Sequence, residues 1–247
     1  MFAYRKKTRE ETLREQIKQL AKEHYRWGYR LLFNYIRRLG ENANHKKFLR
    51  IYREEHLQIG KRSRRKERRF DRIKSEEPKG INERWSMDFM YDVLENKRSY
   101  RILNVIDDHS RECLCCEVSR SFGGYDVAEA LEKLISRYGK PKVIKSDNGA
   151  EFRSRYMEKW SKERGITLEF TRPGKPTENG QIESFNGTMR NELLRGIEFE
   201  SVMEARAELE KWREKYNNER PHSALNYEPP SSRRRPHGGD GKENKLE

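Results

Sequence analysis

Between Trp85 and Val93 the chain alternates strictly. Trp85, Met87, Phe89, Tyr91 and Val93 fall on one side, and Ser86, Asp88, Met90 and Asp92 fall on the other. A period of two is the mark of a β-strand, and it commits this part of the chain to a sheet. It also puts an acid, Asp88, in mid-strand on the face opposite Trp85. Two further strands are expected over Tyr100–Asp107 and Glu112–Ser119. The turn Asp108-His-Ser-Arg111 between them makes the first three strands an antiparallel meander.

The texture then changes to alternating helix and strand. Val127, Leu131, Leu134, Ile135 and Tyr138 share a helical stripe that stops at Gly139, with Pro141 beyond. Val143-Ile144 is a short buried strand delivering Asp147 at its C-terminal end. Phe152, Tyr156, Met157 and Trp160 stripe a helix closed by Gly165, and Ile166–Phe170 is a fifth strand. After the loop Pro173-Gly-Lys-Pro176, Ile182, Phe185, Met189 and Leu193 mark the core side of another helix. Glu183, Asn186 and Arg190 share the flank beside it. Ser201-Val-Met-Glu204 opens a last helix with a capping-box pattern, and Pro221 ends it. The order β-β-β-α-β-α-β-α-α is the ribonuclease H-like plan, an α/β fold with a mixed five-stranded sheet and helices on both faces.

Upstream, residues 9–60 spell three helices. Their stripes are Leu13, Ile17, Leu20 and Ala21; then Gly28, Leu32, Tyr35, Ile36 and Leu39; then Phe48, Ile51 and Tyr52. His45, Lys46, Lys47 and Arg50 lie toward the outer side of the third. A short basic helix after a tight turn is how helix-turn-helix modules present side chains to a groove. The same pattern also fits an ordinary three-helix bundle with a solvated charged face. The organisation expected is a small all-α, helix-turn-helix-like domain over 1–60, a basic linker over 61–81, the α/β core over 82–225 and a disordered tail over 226–247. Within the linker, Arg64 and Arg65 are candidate phosphate contacts of a kind weakened by salt.

The formal net charge is +14. A surplus of this size favours a polyanionic partner, nucleic acid first among them. The chain offers no apolar stretch of membrane-spanning length and no secretory-signal pattern. No membrane role and a cytoplasmic, nucleoid-associated location are therefore expected. Cys113, Cys115 and Cys116 crowd one strand, which suits reduced thiols rather than a disulfide framework or a zinc site.

The acids carry the chemistry. Cleaving a phosphodiester needs an activated oxygen nucleophile and a stabilised leaving oxyanion, which two divalent metals supply together. Mg²⁺ binds through a few carboxylates and keeps several waters, so acids from separate elements suffice. Asp88, Asp147 and Glu183 are the candidate catalytic and metal-holding set. Asp107 and Asp108, on the neighbouring strand, are rivals to Asp88, and Asp107 is also a candidate supporting group. Asp92 and Glu151 are expected at the surface.

Several segments together resemble a known family: Trp85-x-x-Asp88, Ser146-Asp-Asn-Gly149 with Glu151-Phe152, Arg172-Pro-Gly-Lys-Pro176, Ile182-Glu-Ser-Phe-Asn-Gly187 and Tyr216-Asn-x-x-Arg-Pro-His222. They look like the integrase core of bacterial insertion-sequence transposases, and more narrowly the second reading-frame product of two-frame elements. Arg26-Trp-Gly-Tyr-Arg30 and Asn44-His-Lys-Lys47 resemble that group's accessory helix-turn-helix segment. The resemblance covers roughly residues 10–230. It implies a metal-dependent DNA transposase with a DDE triad carried over as Asp88, Asp147 and Glu183. It implies two Mg²⁺ ions, with Mn²⁺ able to substitute, and Arg190 as a contact to donor-end DNA. The implied partners are double-stranded DNA (element ends and target), the first reading-frame product or a fused form, and further copies of the chain on DNA. Asn186 joins Arg190 as a candidate DNA contact. Lys175 is either a phosphate contact or an exposed loop lysine, and His222 is a structural turn residue. Two departures stand out. The segment after His222 runs into Pro229-Pro-Ser-Ser-Arg-Arg-Arg235 instead of the family's usual Thr-Pro and aromatic ending, and no first-frame segment is present. A DNA-binding regulator on the same fold, or a nuclease that cuts without joining, remain alternatives.

Overall fold

The computed structural model describes residues 2–60, 77–172 and 179–234, the side chains of 2–8 excepted. Arg64, Arg65, Lys175 and most of the expected linker lie outside the described residues.

Three helices come first: α1 (Phe2–Glu23), α2 (Tyr29–Arg38) and α3 (His45–Glu54). Asn44 caps α3, its Oδ1 accepting from the backbone N–H groups of Lys46 (2.9 Å) and Lys47 (3.3 Å). Leu13, Ile17, Leu32, Ile36, Phe48, Ile51 and Tyr52 close a core of their own. Arg38 reaches across to the carbonyl of Glu219 at 2.6 Å and ties this unit to the rest of the chain.

The α/β unit is built on strands β1 (Arg84–Val93), β2 (Ser99–Asp107), β3 (Cys113–Ser119), β4 (Val143–Ser146) and β5 (Thr167–Phe170) in the order β3-β2-β1-β4-β5. β1, β2 and β3 pair antiparallel, while β4 and β5 run parallel to β1. One face is covered by α4 (Gly124–Tyr138) and α5 (Arg155–Arg164), against Trp85, Met87, Leu103, Val105 and Ile144. The other is covered by α6 (Gly180–Met189) and α7 (Val202–Asn218), against Met90, Ile102 and Val118. Burial of each such large side chain stabilises by roughly 1.5–3 kcal/mol. The ribonuclease H-like plan is thus the observed fold. Gly124 is required where α4 starts, because a β-carbon there would stand 2.0 Å from Ser154 Oγ at the start of α5.

Three expectations are corrected. Tyr156 is not on the core stripe of α5: it is exposed and packs edge-on to exposed Tyr125, with ring centroids 5.4 Å apart. Phe152 precedes α5 and is buried. The tail is not disordered from residue 226. Pro230–Arg233 forms a short 3₁₀ turn packed against α7, and Arg234 bonds Glu112 and lies over the Tyr138 ring. Proline-rich composition suggested disorder, but Pro229 and Pro230 are apolar enough to be buried.

Candidate active site

Asp88 occupies mid-β1, directly across from Asn104 of β2. β4 runs beside β1 with Ser86 level with Lys145, and continuing that register brings residue 147 level with Asp88. Adjacent strands lie about 4.8 Å apart, so the sheet itself delivers Asp147 next to Asp88. Glu183 comes from α6, whose Ile182, Phe185 and Met189 are buried on the Asp88 side of the sheet.

Electrostatics report the convergence. Burial pushes the Asp88 carboxyl up to about 6, and the charges of Asp147 and Glu183 both add to the rise. Partial burial raises Glu183 as well. Among the described residues none of the three acids has an ion-pair partner. Asp147 shapes its own turn, its Oδ1 accepting from Gly149 N–H at 2.9 Å. Gly149 suits that turn: a β-carbon would lie 3.1 Å from Asp147 Oδ1 and 3.3 Å from Glu151 Oε2.

A groove of about 310 Å³ opens beside Asp88 and Glu183, lined also by Tyr91, Asn186, Gly187 and Arg190. α6 gives way there to a single wider π-helical turn, Arg190–Leu194. Arg190 leaves at its first position and donates to the Tyr91 carbonyl at 3.2 Å, so Glu183, Asn186 and Arg190 do share one wall.

Asn186 is engaged with the acid rather than turned out to solvent. Its Nδ2 donates to Asp88 Oδ2 at 2.8 Å, and its Oδ1 accepts from Asn104 Nδ2 at 2.8 Å. Asn104, fully buried, thereby fixes the amide that fixes Asp88. Sequence reasoning missed Asn104, although one polar residue inside Ile102-Leu-Asn-Val-Ile106 was a usable signal. It also missed Arg101. That guanidinium lies over the rings of Phe89 (4.0 Å) and Tyr91 (4.9 Å) and pairs with Glu151 at 2.5 Å. Glu151 is therefore not a simple surface acid: Arg101 holds its carboxyl below the usual range. Phe89 also stacks on Phe152 at 4.9 Å. The stack ties the Asp147 turn to β1, the strand carrying Asp88, and the ion pair ties it to neighbouring β2.

The rival acids do other work. Asp107 organises the β2–β3 turn, accepting from Ser110 N–H (2.8 Å), His109 N–H (3.1 Å) and Asn82 N–H (2.8 Å). Asp108 pairs with Arg84 at 2.5 Å. Neither supports Asp88, because Asp107 lies across from Trp85, three residues down the strand. His222 is a turn residue as expected, its carbonyl accepting from Leu225 and Tyr227.

The expected basic face of α3 is largely spent. Lys47 and Arg50 pair with Glu10 of α1 at 3.5 and 2.7 Å, and the His45 ring packs on Phe33 at 5.1 Å. Only Lys46 of that set has an exposed side chain without a partner among the described residues.

The donor set suits a hard divalent cation: carboxylate oxygens, with an excess of negative charge around Asp88. Among the described residues no three His, Cys, Asp or Glu side chains close to metal-site spacing. One or two carboxylates plus water is an ordinary Mg²⁺ arrangement, so the residues present fit such an ion without enclosing it.

Comparison with known proteins decides the family. A family model described as integrase core domain matches residues 78–176, and a second of the same description matches 164–230. The chain is 41% identical over 221 residues to the insertion element IS407 uncharacterized 31.7 kDa protein of Burkholderia multivorans, covering 90% of this chain and 80% of that protein. The chain belongs to the integrase-core family of insertion-sequence transposases. It is also 38% identical over 221 residues to the insertion element IS476 uncharacterized 39.2 kDa protein of Xanthomonas euvesicatoria, with 90% of this chain matched to 64% of that longer protein. The HTLV-2 integrase catalytic core domain, solved in complex with magnesium, shares the fold with a TM-score of 0.52 at 17% identity, covering 64% of this chain and 99% of that one. Membership makes this a polynucleotidyl-transferase type of protein concerned with DNA transposition. No helix among the described residues is long and apolar enough to cross a membrane.

Proposed function

We propose that this chain is the catalytic subunit of a DNA transposase, with Asp88, Asp147 and Glu183 as a DDE triad holding two divalent cations. Mg²⁺ is the expected ion, as in the HTLV-2 core domain, and Mn²⁺ would substitute. The observation that carries the proposal is the half-buried Asp88 at an open groove, its acidity lowered first by burial and then by the charges of Asp147 and Glu183. A fold keeps unpaired like charges together where a ligand supplies the opposite charge.

Bound cations would supply Lewis-acid activation of the attacking oxygen and neutralise the leaving one. The protein's part is placement. Asn104 and Asn186 orient Asp88, and the Arg101–Glu151 pair sets the Asp147 turn against it. Arg190 on the groove wall, together with Lys175, would hold DNA phosphate. The reaction proposed is hydrolysis of one strand at an element end, leaving a 3′-hydroxyl that attacks a target phosphodiester in line. No covalent protein–DNA intermediate is needed. A first reading-frame product or fused form is the proposed partner, and several copies on DNA would hold two ends together.

The test is incubation with Mg²⁺, labelled duplex ends of the element and the partner frame. Cleaved and joined products are expected, and Asp147→Asn should yield neither. Full activity in Asp147→Asn, or no product from the unaltered protein, would sink the proposal.

A further inference from the structure

With Lys47 and Arg50 tied to Glu10, the unneutralised cations of the helical unit lie elsewhere. α2 contains no acidic residue, and its Arg30 and Arg37 are both exposed. They stand seven positions apart, on one helical stripe. Lys46 and Arg53 of α3 are exposed and likewise seven apart. Among the described residues none of the four makes an ion pair.

An aromatic ledge joins the two helices. The His45 ring sits 5.1 Å from Phe33 and 5.8 Å from Tyr29, joining the start of α3 to α2. Arg37 lies over the Phe33 ring at 5.7 Å. Arg30 lies over the Tyr29 ring at 5.8 Å and donates to its hydroxyl at 3.1 Å. These ring contacts hold both guanidinium groups before any ligand arrives, which lowers the ordering cost of binding. Glu41, on the α2–α3 loop, lies on the opposite side, lining a cleft with Glu15, Gln16 and Gln19 of α1. Arg38 points away as well, to the Glu219 carbonyl.

We propose that this ledge, formed by α2 and the outer edge of α3, seats the phosphate backbone of duplex DNA through Arg30, Arg37, Lys46 and Arg53. The contact fixes register on the duplex and carries no base specificity of its own. It rests on the reading of double-stranded DNA as the substrate and is independent of the triad.

The test uses the full chain in EDTA and a fluorescent duplex of about 30 base pairs of arbitrary sequence, titrated by anisotropy across salt concentrations. Replacing all four residues with alanine should weaken binding at least about tenfold and flatten the log-affinity against log-salt slope by about three to four. Arg30→Lys, Arg37→Lys and Arg53→Lys combined should keep the original slope, separating charge from fold. Lys47→Ala with Arg50→Ala should also keep it. An unchanged slope in the fourfold alanine variant, an equal loss in the Lys47/Arg50 variant, or no DNA binding by the unaltered chain would overturn the proposal. EDTA removes metal chemistry, so failure of strand cleavage has no bearing on these outcomes.

Discussion

The helical unit and the α/β unit treat charge in opposite ways. Between α1 and α3 carboxylates meet cations: Glu10 meets Lys47 and Arg50, and Arg14 meets Glu54 and Glu55 at 2.6 Å. In the α/β unit Asp88 is half-buried beside two other acids, and none of the three has an ion-pair partner among the described residues. Matched charges knit neighbouring helices and need no further explanation. Unmatched like charges oppose folding unless something else binds them, so they mark where a ligand is expected.

The largest effect that tests this contrast is Asp88→Asn. Strand cleavage should fall by about a thousandfold or more, the loss of several kcal/mol of transition-state stabilisation. The same variant should melt higher than the unaltered protein without metal, because a half-buried like charge is gone. A lower melting temperature would break the contrast.

Next is the clamp. Glu151→Gln should cost about ten- to a hundredfold in cleavage and in Mn²⁺ affinity measured calorimetrically, the usual range for groups supporting metal-holding side chains. Exchanging the pair, Arg101→Glu with Glu151→Arg, should recover part of both. Unchanged Mn²⁺ affinity would reduce Arg101 to a packing residue.

His222 sharpens the comparison, because it is perturbed without belonging to the site. Burial, with Arg220 and Arg111 nearby, pushes it down to about 4. The folded state therefore binds fewer protons than the unfolded chain between the ordinary histidine value near 6.5 and about 4. Its contribution to stability should be complete above pH 6.5 and fall as pH drops toward 4, by up to about tenfold in the folding constant per pH unit. Denaturant titrations at pH 7 and pH 5 should show this, and His222→Gln should flatten the difference.

The smallest effect is expected from Glu10→Gln. Its ion pairs are solvated, so the melting temperature should barely move. DNA affinity should rise, because Lys47 and Arg50 are freed. A large loss of stability would show that charge matching in the helical unit carries more weight than surface pairs usually do.

Much of the molecule was legible in the chain. The alternation at Trp85–Val93 put Asp88 and Trp85 on opposite faces, and the order of elements matches the five-stranded sheet. The flank shared by Glu183, Asn186 and Arg190 follows from helical spacing alone, and it lines the groove. What a side chain does with its flank was not legible. Asn186 was expected to face DNA, yet it holds Asp88, because Asn104 lies eighty-two positions away in sequence and directly across the sheet. Lys47 and Arg50 were expected to be free, but the partner that neutralises them comes from α1.

Local periodicity thus determined which residues face inward, since the geometry of a helix or strand repeats within a few residues and buried positions must be apolar. Tertiary structure decided which charges are matched and which are left bare. Coulomb energies depend on distance and burial, and pairing across a sheet or between helices sets both without leaving a mark in the neighbouring sequence.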